Sequence, residues 1–257
     1  MNKILITILS LILSASTVFA KDMRFIQVDS SLCSSANSEK FETLVTKINN
    51  EKNVDFVVFT GDNIAKSNKK NLETFVSKAK KLNAPFYVVL GNKDLNKQKE
   101  LGKKEYMEYL GENIRFYKKI NSPSYSFVKN KWVFIVVDGA KEVIPTSGGY
   151  FKAETLDWLS NQLTINKDKN VVIFQHFPII PPANKETKMT YKAEDYLEML
   201  AEHKNIKAIV SGNFNVNNEK DVANILHIST ANAPQYRVVD IMGYDTDSPL
   251  FWSTIKE

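Results

Sequence analysis

Short apolar runs, many of which end in a polar residue, recur along this chain, and they constrain its fold more than any other feature. Eight such runs stand at 24–29, 55–62, 86–92, 132–138, 170–176, 207–213, 225–230 and 236–242. Runs of this length, rich in Val, Ile and Phe, are typical of strands that are covered on both faces. They predict a core built around β-sheets.

Helical patterns separate the early runs. Residues 38–50 begin with Ser38, which we interpret as the N-cap, and place apolar residues at helical spacing. Similar patterns occupy 71–83, 152–163 and 192–205. Strands that alternate with helices pair in parallel, whereas the closely spaced late strands favour hairpins. We therefore predict an α/β fold with mixed sheets, as one domain over residues 21–257.

Residues 1–20 have a different character. Lys3 precedes an apolar run over 4–13, and small residues lead to Ala20. This pattern predicts a signal peptide cleaved after Ala20, hence a secreted, periplasmic or cell-envelope protein. An uncleaved anchor is the weaker interpretation, because 4–20 is short for a span and includes the hydroxyl residues Ser14, Ser16 and Thr17. We expect no stable membrane span after cleavage.

Charge and cysteine content exclude several classes of protein. The formal net charge is +5, but the lysines lie in scattered pairs rather than along one stripe. That distribution indicates solvated faces, so no nucleic-acid partner is expected. A single cysteine, Cys33, allows neither an intramolecular disulfide nor a cysteine-rich metal site. The sequence indicates no particular oligomeric state.

Polar residues collect where the predicted strands end. Carboxyl ends of parallel strands meet at one edge of a sheet, where ligands bind. Carboxylate and amide oxygens together with one imidazole suit a divalent ion such as Mg, Mn, Fe or Zn. The residues at these ends are Asp29, Asp62, Asn92, Lys93, Asp94, His176, Asn213 and Asn215.

This ordered set resembles the calcineurin-like metallophosphoesterase family. The family pattern is D-x-H, G-D, G-N-H-[D/E], a lone H and G-H-x-H. Its counterparts here are "DSS" at 29–31, "GD" at 61–62, "GNKD" at 91–94, His176, and "GNFN" at 212–215. The stretches "GGYFKAETLDWLSNQL" and "PQYRVVDI" are also similar. The resemblance implies a four-layer α/β/β/α sandwich that hydrolyses phosphate mono- or diesters.

The resemblance also implies roles for individual residues. Asp62 would bridge two ions, Asn92 and His176 would hold one of them, and Asp29 the other. Asn213, Ser31 and Asn215 stand where the family has histidine ligands. The metal-binding residues so predicted are Asp29, Asp62, Asn92, His176, Asn213 and Asn215. Because amides bind transition metals more weakly than imidazoles, we expect fewer than two ions.

Lys93 and Asp94 are the predicted catalytic residues. Lys93 occupies the place of the family's catalytic histidine, and an ammonium can contact a phosphoryl oxygen as a point charge. With an ordinary pKa near 10.4, a lysine is a poor proton donor at neutral pH. The alternative interpretation is a lysine tolerated after catalysis was lost.

Two functional hypotheses therefore stay open. One is a secreted phosphoesterase with an altered, one-metal centre that acts on a phosphate ester. The other is an inactive pseudo-phosphoesterase that binds an anion or a partner at the cell envelope, without a metal cofactor. The remaining histidines do not decide between them, because His203 follows a helix and His227 lies within a predicted strand.

Overall fold

The computed structural model describes residues 23–183, 188–243 and 249–257. The predicted signal peptide, residues 1–20, lies outside the described residues. Five α-helices are described: α1 (Ser38–Asn50), α2 (Lys69–Ala79), α3 (Lys103–Asn113), α4 (Ala153–Ile165) and α5 (Ala193–Ala201). A short 3-10 helix spans Arg115–Lys119. No helix in these ranges is long and apolar enough to cross a membrane.

The first sheet has the strand order β11-β10-β1-β2-β3. Its strands are β1 (Met23–Val28), β2 (Phe56–Phe59), β3 (Phe86–Val88), β10 (Tyr236–Met242) and β11 (Leu250–Lys256). β1, β2 and β3 are parallel, and β10 and β11 add an antiparallel pair beside β1. The carboxyl ends of the three parallel strands therefore lie at one edge.

The second sheet has the order β4-β5-β6-β7-β9-β8. Its strands are β4 (Tyr125–Lys129), β5 (Trp132–Val136), β6 (Val171–Phe174), β7 (Ile206–Ser211), β8 (Asn218–Val222) and β9 (Ile225–Ser229). The four central strands are parallel, and β4 and β8 are antiparallel edges. All eight predicted strands are present. The hairpins predicted between the late strands are not, because β7 and β9 are parallel and β9 and β10 lie in different sheets. The antiparallel partners of β9 and β10 are β8 and β11.

Aromatic side chains hold the two sheets together. The rings of Phe25 and Phe56 from the first sheet pack edge to face against Phe134 and Phe174 from the second. A separate apolar cluster joins the outer face of the second sheet to α4 and α5. Phe41 of α1 and Phe75 of α2 pack on Phe59 of β2. The predicted four-layer α/β/β/α sandwich is confirmed.

A buried polar layer also links the sheets. Gln27 of β1 donates to the Ser211 carbonyl of β7 at 2.8 Å and accepts from Thr230 Oγ1 at 2.6 Å. Arg237 Nε donates to the same Thr230 hydroxyl at 2.9 Å. Such a satisfied network fixes the register of the two sheets because each group would be costly to leave unpaired.

The start of α1 differs from the prediction. Asn37, not Ser38, occupies the N-cap position, and its side chain makes no capping hydrogen bond to the helix. Asn37 instead accepts from the Ser34 amide at 2.7 Å and donates to the Leu32 carbonyl at 2.9 Å. The side chain thus organises the loop after β1 rather than the helix.

Candidate active site

The predicted site residues follow strands of both sheets. Asp29, Asp62 and Asn92 follow β1, β2 and β3 of the first sheet, and His176 and Asn213 follow β6 and β7 of the second. We call the space around Asp29, Asp62, Asn92 and His176 the strand-end site. It lies where the carboxyl ends of parallel strands from the two layers meet.

Asp29 is fully buried, and both of its carboxylate oxygens accept hydrogen bonds. Its Oδ2 accepts from Ser30 Oγ at 2.9 Å and from the Asn213 amide at 3.2 Å, and its Oδ1 accepts from Thr60 Oγ1 at 3.2 Å. Burial raises the pKa of Asp29 to about 6, against the lowering effect of the nearby His176 imidazole. The carboxylate connects the first sheet to the loop after β7.

Two glycines permit these side chains to come together. A Cβ at Gly212 would lie 1.7 Å from Asp29 Oδ1, and a Cβ at Gly61 would lie 2.3 Å from His176 Nδ1. Gly61 also has φ +104°, a conformation that side chains disfavour. Both glycines of the "GD" and "GN" pairs are therefore required by close packing at the site.

His176 presents one free ring nitrogen to Asp62. Its Nδ1 lies 2.6 Å from the Thr60 carbonyl oxygen, which can only accept, so Nδ1 carries the proton. Nε2 lies 3.5 Å from Asp62 Oδ1 and is buried without a hydrogen-bond partner. A fixed tautomer with a free Nε2 lone pair is the arrangement of a metal-ligating histidine.

Asp62 lies between His176 and Lys93. The Lys93 amide donates to Asp62 Oδ1 at 2.9 Å, and Lys93 Nζ lies 3.0 Å from Asp62 Oδ2. The Lys93 side chain is 45% exposed, whereas that of Asp62 is 4% exposed. Lys93 therefore reaches the site from the solvent side and places a cation on the carboxylate predicted to bridge two ions.

The residues around Asp62 include candidate donors for a divalent ion. Asn92 Oδ1 is buried and has no hydrogen-bond partner, like His176 Nε2. Asp62 Oδ1 lies 3.5 Å from His176 Nε2 and accepts from the amide of Lys93, the residue that follows Asn92. A carboxylate, an amide oxygen and an imidazole nitrogen form a donor set for one ion. The two unsatisfied atoms are the observation that favours an ion at this position.

The position predicted for a second ion has fewer donors. Ser31 Oγ donates to the Asn63 carbonyl at 2.9 Å. Asn215 is exposed, with a left-handed backbone, φ +59°. Asp29 already accepts three hydrogen bonds. Within the ranges that the structure describes, no group of three or more His, Cys, Asp or Glu residues has a metal-binding arrangement.

Asn213 is placed at the site but uses its amide elsewhere. Its Nδ2 donates to the Ser147 carbonyl at 2.8 Å and to the Lys188 carbonyl at 2.7 Å. Lys188 Nζ in turn donates to the Asn213 carbonyl at 3.1 Å. The side chain predicted as a metal ligand thus ties together the two loops that border the site.

Asp94 lies beneath the site rather than in it. Its carboxylate is fully buried and accepts from the Gly91 amide at 2.8 Å, the Ile64 amide at 3.0 Å and Asn63 Nδ2 at 2.9 Å. Burial, with the charge of Asp62, raises the pKa of Asp94 to about 8. Asp94 braces the loop after β3 against the loop after β2.

Thr60 and Asn63 orient Asp29, His176 and Asp94, yet neither was among the residues predicted from the sequence. Both flank the "GD" pair, and polar residues within a buried strand end were the available signal. The other two histidines lie elsewhere. His203 Nε2 pairs with Ser160 Oγ at 3.2 Å, and burial lowers the pKa of His227 in β9 to about 4.

Comparison with known proteins agrees with this geometry. The chain is 25% identical over 171 residues to a probable cyclic nucleotide phosphodiesterase of Xenorhabdus bovienii, covering 65% of this chain and 64% of that protein. It is 31% identical over 135 residues to a probable glycerophosphodiester phosphodiesterase of Arcobacter nitrofigilis, covering 52% and 46%. The alignments thus span less than two thirds of either relative.

A solved structure shares the fold over nearly the whole described chain. A dimetal phosphatase from Danio rerio superimposes with a TM-score of 0.67 at 14% identity, covering 89% of this chain and 98% of that one. The sequence model for calcineurin-like phosphoesterases matches residues 33–212. That match includes the "GD", "GNKD" and His176 motifs and reaches Gly212, the first residue of "GNFN", whereas Asp29 precedes it. The chain therefore belongs to the calcineurin-like phosphoesterase family.

Proposed function

We propose that this protein is a secreted phosphoesterase that hydrolyses phosphodiesters at a centre for one divalent ion. The observation that carries the proposal is a pair of buried atoms without a hydrogen-bond partner, His176 Nε2 and Asn92 Oδ1. The first lies 3.5 Å from Asp62 Oδ1, and the second belongs to the residue before Lys93, whose amide donates to Asp62. Leaving two such acceptors unsatisfied costs roughly 1–3 kcal/mol each. A bound cation would satisfy both at once.

Each residue of the strand-end site has a distinct role in this proposal. When bound, a divalent ion supplies Lewis-acid stabilisation of charge on the phosphoryl group. Thr60 holds the tautomer of His176, so that Nε2 is the ligand atom. Lys93 Nζ, 3.0 Å from Asp62 and open to solvent, would contact a non-bridging phosphoryl oxygen as a second positive charge.

Asp94 has a positioning role in the proposal, not a catalytic one. Its contacts to Gly91 and Ile64 fix the turn that presents Asn92 and Lys93. Asn213 similarly positions the loops at 147 and 188 instead of binding an ion. The proposed ligands are therefore Asp62, Asn92 and His176, with Asp29 as the neighbouring charge.

The names of the two curated relatives favour diesters as the substrate class, because both are described as probable phosphodiesterases. Residues 1–20 supply the argument for export, since they have the order of a positive, an apolar and a small-residue region. An exported enzyme would act on phosphate esters outside the cytoplasm.

Hydrolysis of bis(p-nitrophenyl) phosphate by the mature protein tests the proposal. The assay compares EDTA with Mg²⁺, Mn²⁺, Zn²⁺ and Ca²⁺, using Asp62→Ala as the disabled variant and Asp157→Ala as the matched control. Asp157 is an exposed aspartate of α4. We expect metal-dependent turnover in the wild type and Asp157→Ala, and none in Asp62→Ala. Equal rates in EDTA and in every metal would overturn the proposal.

A second function is favoured by the ion pair of Lys93 with Asp62. An ammonium already stands at the carboxylate that would otherwise bridge two cations. The site could then bind an anionic phosphate ester without hydrolysing it. Binding of phenyl phosphate, measured by calorimetry in EDTA and unaccompanied by turnover in any metal, would identify this binding module.

A further inference from the structure

An open cavity lies next to the segment that follows β5, the strand that pairs with β6, which leads to His176. It has a volume of about 740 Å³ and opens at the end of β5. Residues Val136 and Phe174 are register partners in parallel β5 and β6, so Asp138 and His176, each two residues further on, stand on neighbouring strands. Neighbouring strands are about 4.8 Å apart. Asp138 is therefore the cavity residue that lies close to His176 of the site.

The same strand periodicity turns Asp138 toward the site's side of the sheet. Phe134 and Val136 of β5 point into the space between the sheets, whereas Val133 and Val137 pack under the helices. Side chains two residues apart in a strand point to the same face, so Asp138 shares the face of Val136 and His176 shares the face of Phe174. Both side chains consequently project from the same face of the second sheet.

The loop that carries Lys93 is hydrogen-bonded to the border of the cavity. The Lys97 amide donates to the Glu142 carbonyl at 2.8 Å, and the Lys103 amide donates to Glu142 Oε2 at 2.8 Å. Glu142 and Lys103 line the cavity. A molecule in the cavity would thus lie next to the segment that places Lys93 on Asp62.

The cavity combines a polar floor with aromatic walls. Asp138 is 6% exposed and pairs with Lys103 Nζ at 2.5 Å, which leaves further protons of that ammonium for an acceptor. Tyr150 and Trp158 line the cavity, and Lys141 Nζ lies over the Tyr150 ring, 5.9 Å from its centre. Donor, acceptor and flat apolar surfaces therefore occur together.

We propose that this cavity binds the alcohol substituent of the phosphate ester, and that the substituent is a heteroaromatic ring bearing hydrogen-bond donors and acceptors. The ring would lie against Tyr150 and Trp158 while its polar edge meets Asp138 and Lys103. The phosphate would extend toward Lys93. This inference rests on the proposed function only for the position of the phosphate, and the ring contacts hold whether or not the ester is hydrolysed.

Binding of adenosine 5′-monophosphate tests the assignment, with glycerol 3-phosphate and inorganic phosphate as ligands that lack the ring. The protein carries Trp252→Phe, which removes an exposed tryptophan on β11, while Trp132 is fully buried. Of the two remaining tryptophans only Trp158 lines the cavity, so quenching by a bound ring reports on Trp158. We expect quenching by the nucleotide and at least about tenfold tighter binding than glycerol 3-phosphate, since a ring stacked on an aromatic side chain contributes this much.

Two variants separate ring recognition from a general effect of the loop. Tyr150→Ala should weaken nucleotide binding about tenfold and leave phosphate binding unchanged. Leu250→Ala is the control, because Leu250 is exposed and lies on β11, whose residues do not line the cavity. Equal affinity for the nucleotide and glycerol 3-phosphate, or equal losses in the two variants, would overturn the proposal. Nucleotide binding without turnover would sustain it while refuting hydrolysis.

Discussion

Replacement of Gly212 by alanine should disturb the strand-end site severely, although it adds a single methyl group. The new Cβ would lie 1.7 Å from Asp29 Oδ1 and 2.4 Å from Asp29 Cγ. Observed Cβ contacts essentially never fall below 3.0 Å, so the carboxylate must move by more than 1 Å. The backbone of Gly212 is not in the left-handed region, so the effect is one of space alone.

The cost follows from what holds Asp29 in place. Overfilling a packed interior costs about 1–3 kcal/mol. Moving the carboxylate also breaks at least one hydrogen bond to a charged group, from Thr60 or Asn213, at about 1.5–3 kcal/mol. We expect a loss of about 3–5 kcal/mol in the free energy of unfolding, together with weaker divalent-ion binding.

Urea unfolding followed by circular dichroism measures the loss. Gly111→Ala in α3 is the matched control, because the nearest atom to the new Cβ would be the Tyr117 carbonyl oxygen, at 3.2 Å. Alanine also has a higher helix propensity than glycine. That variant should unfold within about 1 kcal/mol of the wild type. A Gly212→Ala protein as stable as Gly111→Ala would refute the account of Asp29 as a fixed, closely packed carboxylate.

Three further outcomes can be measured. Burial raises the pKa of Asp94 from 3.8 to about 8, so the folded state holds a proton that the unfolded state has lost. The free energy of unfolding should therefore fall as the pH rises from about 6.5 to 8, by up to about 1.4 kcal/mol per pH unit. Asp94→Asn should remove this pH dependence. Asn213→Ala should speed proteolysis of the loops at 147 and 188 and lower stability by about 1–3 kcal/mol, because two hydrogen bonds are lost; unchanged cleavage would contradict that role. Tyr125→Phe should lower the melting temperature more than Tyr117→Phe does. The Tyr125 hydroxyl bonds both the amide and the carbonyl of Val88, whereas the Tyr117 hydroxyl bonds only the Val88 amide. The reverse order of melting temperatures would refute this reasoning.

The strands of the core could be predicted because each is an apolar run buried on both faces. β8 was missed since its sequence, "NEKDV", is a polar edge in which no apolar run exists. Helix α3 was missed for a similar reason, as its buried residues are only Tyr106, Met107 and Leu110 among charged neighbours. Elements at the edge of the fold owe their structure to pairing partners distant in sequence, which local patterns do not reveal.

The candidate site shows the same division. The order of polar strand ends predicted which residues approach one edge, because that follows from parallel topology alone. The direction of each side chain did not follow. Asn213 turns toward two loop carbonyls, and Asp94 turns toward backbone amides, because those partners come from distant segments. Ligand type can be predicted from sequence, whereas the choice of hydrogen-bond partner depends on the assembled fold.

The polar layer around Gln27 has a mechanical consequence. Asp62 follows a strand of the first sheet and His176 follows a strand of the second. The 3.5 Å distance from His176 Nε2 to Asp62 Oδ1 therefore depends on how the two sheets are placed relative to each other. Gln27 of the first sheet is hydrogen-bonded to Ser211 and Thr230 of the second, and these bonds fix the position of one sheet relative to the other close to that gap. Sliding of one sheet by even a fraction of a strand residue would shear these bonds before it separated the imidazole from the carboxylate. The two packed sheets therefore set the distance between Asp62 and His176 in the strand-end site. Adaptation to different ligands is left to the loops around the site.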